Sequence, residues 1–71
     1  MSEATVTITL NLPADEADAF AWLLKRLSQE DCVRHSNRVR RYPDHRHEHD
    51  VMWSAVKIVE RQFADAGYAP R

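Results

Sequence analysis

The sequence predicts an α+β chain, one N-terminal β-strand followed by two α-helices (β-α-α), that dimerises through antiparallel strand pairing. Three observations predict it. Residues 4–12 alternate apolar and polar with a period of two, the residues after Pro13 switch to apolar spacings of three and four, and the helical spacing returns beyond Pro43.

Residues 1–3 are expected to fray. In the segment that follows, Val6, Ile8, Leu10 and Leu12 fall on one side while Thr5, Thr7, Thr9 and Asn11 fall on the other, the pattern of a half-buried strand over about 4–12. Pro13 ends it, because proline has no amide hydrogen for a ladder. A helix follows over about 14–30. Its first turn carries Asp15, Glu16 and Asp18 at the positive end of the helix dipole. Ala17, Phe20, Leu23, Leu24 and Leu27 share one face, with Trp22 and Arg26 off it.

From about 31 to 44 the apolar pattern thins to Cys32, Val33, Val39 and Tyr42, which reads as a basic connector with room for one more helical turn. Pro43 disfavours helix at Tyr42. The second helix spans about 45–66, with Asp44 as its cap and Met52, Ala55, Val56, Val59, Phe63 and Ala66 as its apolar stripe. Gly67 stands where a left-handed residue would close that helix and bring Tyr68 onto Phe63, and Pro70 prevents continuation.

A lone strand leaves its backbone donors and acceptors unsatisfied, so its partner is expected in a second copy. Residues 5–11 would pair antiparallel and the four helices of the dimer would pack on one side. Val6, Ile8 and Leu10 would form the interface, together with Trp53, which lies off its helix's main stripe.

With 71 residues the chain is one small domain, of a size that usually needs a disulfide, a metal or a second subunit. The single cysteine, Cys32, rules out an internal disulfide, and no apolar run approaches the length of a membrane span. A cytoplasmic protein with no membrane partner is expected. The net charge of −1 hides an uneven distribution: residues 1–31 hold six acids and two bases, whereas residues 34–46 hold five arginines, two histidines and one acid.

That basic segment, Arg34, Arg38, Arg40, Arg41 and Arg46 with Tyr42 among them, suits phosphates, an acidic protein surface, or the chain's own carboxylates. The histidines offer a second constellation. A tetrahedral zinc site from Cys32, His35, His45 and His49 is geometrically open, yet the spacing matches no established finger pattern and the solvated reading outweighs it. No cofactor is expected, with zinc the one alternative. Catalysis has little support, since Ser28, Ser36, Ser54 and Cys32 are in no arrangement that a sequence could identify as a triad.

The run TVTITLNLPADEADAFAWLL followed by a second helix resembles the ribbon-helix-helix family of small bacterial DNA-binding regulators. In that family the strand pairs with its twin and the ribbon enters the major groove. The resemblance implies that Thr5, Thr7 and Thr9, with Asn11, would face bases; Arg34, Arg38, Arg40 and Arg41 of the basic segment would then hold phosphates. The strand here carries no Arg or Lys, and the connector is longer than that family's short turn. The C-terminal AGYAPR, with LKR in the first helix, resembles small uncharacterised proteins of proteobacterial genomes and prophages. The expected function is that of a dimeric, non-enzymatic DNA-binding regulator of a bacterial or mobile-element locus. The alternatives are a phage or mobile-element modulator binding an acidic or nucleic-acid-coated protein complex, for example as an inhibitor of a host defence complex, and a zinc-stapled interaction domain.

Overall fold

The structure is a computed structural model that describes residues 4–70, so the fraying expected of residues 1–3 lies outside the described residues. Three helices carry the fold: α1 (Ala14–Arg26), α2 (Gln29–His35) and α3 (Glu48–Asp65). α1 and α2 each pack against α3 and, among the described residues, not against one another, which makes α3 the platform of the molecule.

The described residues contain no β-strand or sheet, and the chain is all-α rather than α+β. Among them, residues 4–12 make no backbone hydrogen bond, and the only ladder-like contact is an isolated antiparallel bridge between Arg41 and His47. The antiparallel pairing of residues 5–11 in two copies falls with the strand. A period-two pattern decides which side chains share a side, but a strand also needs a second backbone alongside it, and no other extended run among the described residues supplies one. The sidedness survives without the ladder. Ile8, Leu10 and Leu12 line one groove, with Ala17 of α1 and Phe63 and Ala66 beside them.

α1 begins directly after Pro13, places Asp15 and Glu16 in its first turn and Lys25 and Arg26 in its last, and so matches charge to dipole at both ends. Its buried residues are Ala17, Ala21 and Leu24, while the Leu23 expected on that face is 52% exposed. The buried face thus runs through Ala17, Ala21 and Leu24, at spacings of four and three, and Leu23 falls outside it. Phe20 meets Phe63 of α3 edge-to-face at 5.2 Å between ring centroids, a geometry the ring quadrupoles favour.

The first helix ends at Arg26, short of the expected residue 30, without glycine or proline. Ser28 restarts the chain as α2 through a capping box. Its Oγ accepts from the Asp31 amide at 3.2 Å, while its own amide donates to the Asp31 carboxylate at 2.8 Å. Reciprocal caps of this kind satisfy two donors that a helix start leaves open. The Ser28 hydrogen bonds hold the Asp31 carboxyl below its ordinary value. α2 carries the buried Cys32 onto α3.

At the other end of α3 Gly67 takes φ +97°, the Tyr68 amide donates to the Phe63 carbonyl at 2.8 Å and the Gly67 amide to Ala64 at 3.0 Å. This pair of bonds is the Schellman closure expected there. It places Tyr68 beside Phe63 on the groove, and the Lys25 ammonium holds the following turn by donating to the Pro70 carbonyl at 2.8 Å. Along α3 the expected stripe residues Met52, Val56, Val59 and Phe63 are half-buried, whereas Ala55 and Ala66 are exposed. The core is therefore shallow: among the described residues the buried apolar ones are Ala17, Ala21, Leu24 and Cys32, and no large side chain is fully enclosed.

Candidate nucleic-acid interface

Residues 36–47 join α2 to α3 and hold four of the five candidate arginines. A connector this polar could be loose, but a carboxylate from the first residue of α3 fixes it. Glu48, only 7% exposed, accepts the Asn37 amide on one oxygen at 2.8 Å and the Arg40 guanidinium on the other at 2.9 Å. Donation from the Asn37 amide is the largest influence on the Glu48 carboxyl and, with Arg40, holds it below its ordinary value against the opposing effect of desolvation. Arg40 also lies over the Tyr42 ring at 4.9 Å.

Two local turns complete the frame. The Asn37 side-chain oxygen accepts from the amides of Val39 (2.9 Å) and Arg40 (3.2 Å), a turn that suits asparagine because its side chain mimics a backbone carbonyl. Further on, the His45 amide donates to the Tyr42 carbonyl at 2.7 Å, and the Tyr42 amide donates to the Arg46 carbonyl at 3.2 Å. Pro43 presets the second position of this turn and His45 follows at φ +68°, the arrangement of a three-residue hairpin with a bulge. Asp44, expected to cap α3, instead accepts the Arg46 amide and pairs with its guanidinium, and His47 stands at the helix N-cap without a side-chain bond.

The candidate arginines thus separate into different roles. Arg40 is part of the frame. Arg34 on α2 reaches Glu30 (3.9 Å) and Asp31 (3.4 Å) at the exposed surface, and Arg41 donates to the carbonyls of Arg38 and Arg40. The Arg38 side chain makes no hydrogen bond or ion pair among the described residues, and beside it Val39 is 85% exposed. Arg38, Arg41 and Arg46 are all exposed on a loop whose backbone is already set; an anion would meet the Arg38 guanidinium directly and would share those of Arg41 and Arg46 with the loop carbonyls and Asp44.

Thr5, Thr7, Thr9 and Asn11 are exposed, but they are not gathered with this loop. Their segment runs beside the C-terminal end of α3 and the loop is tied to its N-terminus, roughly 22 Å away at 1.5 Å per residue between Glu48 and Phe63. Among the expected interface residues Val6, Ile8 and Leu10 are exposed, while Trp53 is half-buried with the Lys57 ammonium 5.0 Å from its ring centre. Among the described residues no group of three or more His, Cys, Asp or Glu side chains, Cys32, His35, His45 and His49 included, is gathered as a metal site would need. His49 instead stacks on His47 at 5.1 Å.

Sequence reasoning missed Glu48 and Asn37, the two residues that order the loop. A signal was present in Glu48, one acid placed among histidines at a helix start just after a run of arginines.

Among the described residues no helix is long and apolar enough to cross a membrane. No curated protein and no solved structure matches the chain. Residues 1–71, the full length, match the family described as "Family of unknown function (DUF7706)", and the chain belongs to that family.

Proposed function

We propose that this chain is a small non-enzymatic binding protein that grips DNA through the loop of residues 36–47 and serves as a regulator of a bacterial or mobile-element locus. The observation that carries the reading is the exposed trio Arg38, Arg41 and Arg46 on a loop held by Glu48 and Asn37. Guanidinium groups suit phosphate oxygens because they offer paired donors on a fixed plane, and a preset loop loses less freedom on binding. Arg34 on α2 adds a fourth positive charge if phosphate displaces its weak surface pairing with Glu30 and Asp31. These contacts are with the phosphate backbone and position the protein; the choice of a locus would rest on further contacts that this loop is not assigned. Thr5, Thr7, Thr9 and Asn11, exposed on the N-terminal segment at the other end of α3, are not among the contacts this reading uses. The compartment this implies is the cytoplasm.

The experiment is anisotropy of a fluorescent duplex titrated at several salt concentrations. Replacing Arg38, Arg41 and Arg46 with alanine is expected to weaken binding to unrelated sequences alike and to flatten the salt slope by about 0.9 for each phosphate that is no longer neutralised. An unchanged slope overturns the reading.

A second reading is a modulator that binds an acidic or nucleic-acid-coated protein complex, and the exposure of Val39 between arginines favours it, since an apolar tip adds contact area on a protein and none on a phosphate. Pull-down from bacterial lysate with and without nuclease separates the two. Capture of protein that survives nuclease belongs to the second reading alone.

A further inference from the structure

A second cleft, about 330 Å³ in volume and open to solvent, lies between α3 and the C-terminal tail, where Lys57, Glu60, Arg61 and Ala64 face Tyr68 and Pro70. It occupies a different flank of α3 from the groove of Ile8 and Leu10. At 3.6 residues per turn Ala64 is turned roughly 160° from the groove residue Ala66 around the helix axis. The tail wall exists because the chain turns back on itself. Gly67 ends α3 at φ +97°, the Tyr68 amide closes on the Phe63 carbonyl, and the Lys25 ammonium ties the Pro70 carbonyl to the end of α1 at 2.8 Å. Pro70 therefore stands beside Lys57, far back along the helix, instead of beyond the helix end.

Positive charge dominates the cleft. Lys57 and Arg61 line it, Lys25 stands at its tail wall, and Glu60 is the one carboxylate among the lining residues. Lys57 is placed from two sides, since its ammonium pairs with Glu60 at 2.9 Å and lies 5.0 Å from the centre of the Trp53 ring. Arg61 differs. Among the described residues its side chain makes no hydrogen bond or ion pair, although Asp65 stands one turn further along the same helix. The Tyr68 side chain likewise makes no hydrogen bond among the described residues, so its hydroxyl is open to a ligand. Two cations four residues apart on a helix repel each other, and an anion held between them removes that cost.

We propose that this cleft binds a small organic phosphate monoester, with the phosphate between Lys57 and Arg61 and the organic body against Tyr68 and Pro70. A phosphate monoester carries nearly two negative charges and three strong acceptor oxygens, which matches an ammonium, a guanidinium and a hydroxyl better than a carboxylate with one charge does. The body has apolar walls to meet, because Ala64, Ala69 and Pro70 offer no charge and the Tyr68 ring can take a planar group. The volume stands at the low end of small-molecule sites, which run from about 300 to 1,000 Å³. The site is independent of the loop reading, since Arg61 lies roughly 20 Å along α3 from Glu48 at 1.5 Å per residue.

Titration of the full chain with phenyl phosphate, followed by amide resonances, tests it. Shifts at Ala64, Tyr68 and Ala69 should saturate with a dissociation constant on the order of 1 mM or below. Inorganic phosphate should bind about fivefold more weakly or worse, because it leaves the apolar walls in water, and phenol should give no saturating shift. Arg61→Gln and Lys57→Gln should each raise the dissociation constant about tenfold. Glutamine is as good a helix former as either residue, so circular dichroism should stay unchanged and a loss of binding is not a loss of fold. Joint replacement of Arg38 and Arg41 with alanine should leave the affinity for phenyl phosphate as it was, which separates this site from the loop. The proposal is overturned if nothing saturates around Tyr68, if the shifts centre on residues 38–46, if Arg61→Gln binds as well as the wild type, or if inorganic phosphate binds as tightly as its phenyl ester.

Discussion

Two long stretches of this chain lack regular structure, residues 4–13 and residues 36–47, and they are held in opposite ways. The later one is crossed by hydrogen bonds: Glu48 takes Asn37 and Arg40, Asn37 takes Val39 and Arg40, and the Tyr42–Arg46 turn closes on itself. In the earlier one residues 4–12 make no backbone hydrogen bond among the described residues, and Ile8, Leu10 and Leu12 line a shallow groove. Polar order is self-contained, since each bond is complete once donor meets acceptor. Apolar order depends on how much surface can be removed from water, and a single chain of this size offers little.

The largest effect that can break this contrast comes from Glu48→Ala. It removes the acceptor that joins the loop to α3 and leaves the Asn37 amide and the Arg40 guanidinium without that carboxylate. Amide exchange at Asn37 should accelerate on the order of tenfold or more, with a fall of several degrees in Tm, while amides of residues 4–12 stay as they were. Equal acceleration in both stretches would erase the distinction. Acid should reach the same end. The Glu48 carboxyl is held below its ordinary value of 4.5, chiefly by the Asn37 amide. Its stabilising contribution is therefore present above that value and is lost as pH falls through the lowered folded value. Following the Asn37 amide resonance through an acid titration should give a midpoint under 4.5, and a midpoint above it contradicts this account.

Gly67→Ala is expected to cost about 1 kcal/mol in urea unfolding, through the backbone alone. Nothing lies within 4 Å of where the added Cβ would sit, but φ there is +97°. The substitution would also loosen the Phe63–Tyr68 end of the groove on which the N-terminal segment rests. The smallest effect is that of Ile8→Ala. Under dilute conditions that favour single chains it should change stability by no more than about 0.5 kcal/mol, because the side chain is already 75% exposed. A larger cost that grows with protein concentration would mean that Ile8 is covered by another chain.

Local rules are legible in this sequence wherever the partners lie within a few residues of each other. The acidic first turn of α1, the stripe of Met52, Val56, Val59 and Phe63, and the closure of α3 at Gly67 are each written in spacings of three to five. The break between α1 and α2 was written there too, in Ser28 and Asp31, although no glycine or proline marks it. What spacing alone could not decide is which distant group occupies a side chain once the helices pack. Whether Arg40 serves an outside phosphate or Glu48 depends on α3 presenting a carboxylate to the loop, and which of the apolar side chains of α1 meets α3, Ala21 rather than Leu23, depends on how the two helices are turned toward each other. The alternation of residues 4–12 likewise determined a sided segment, and only the folded chain decided that it would be no strand, because backbone pairing requires a neighbour that the described residues do not supply.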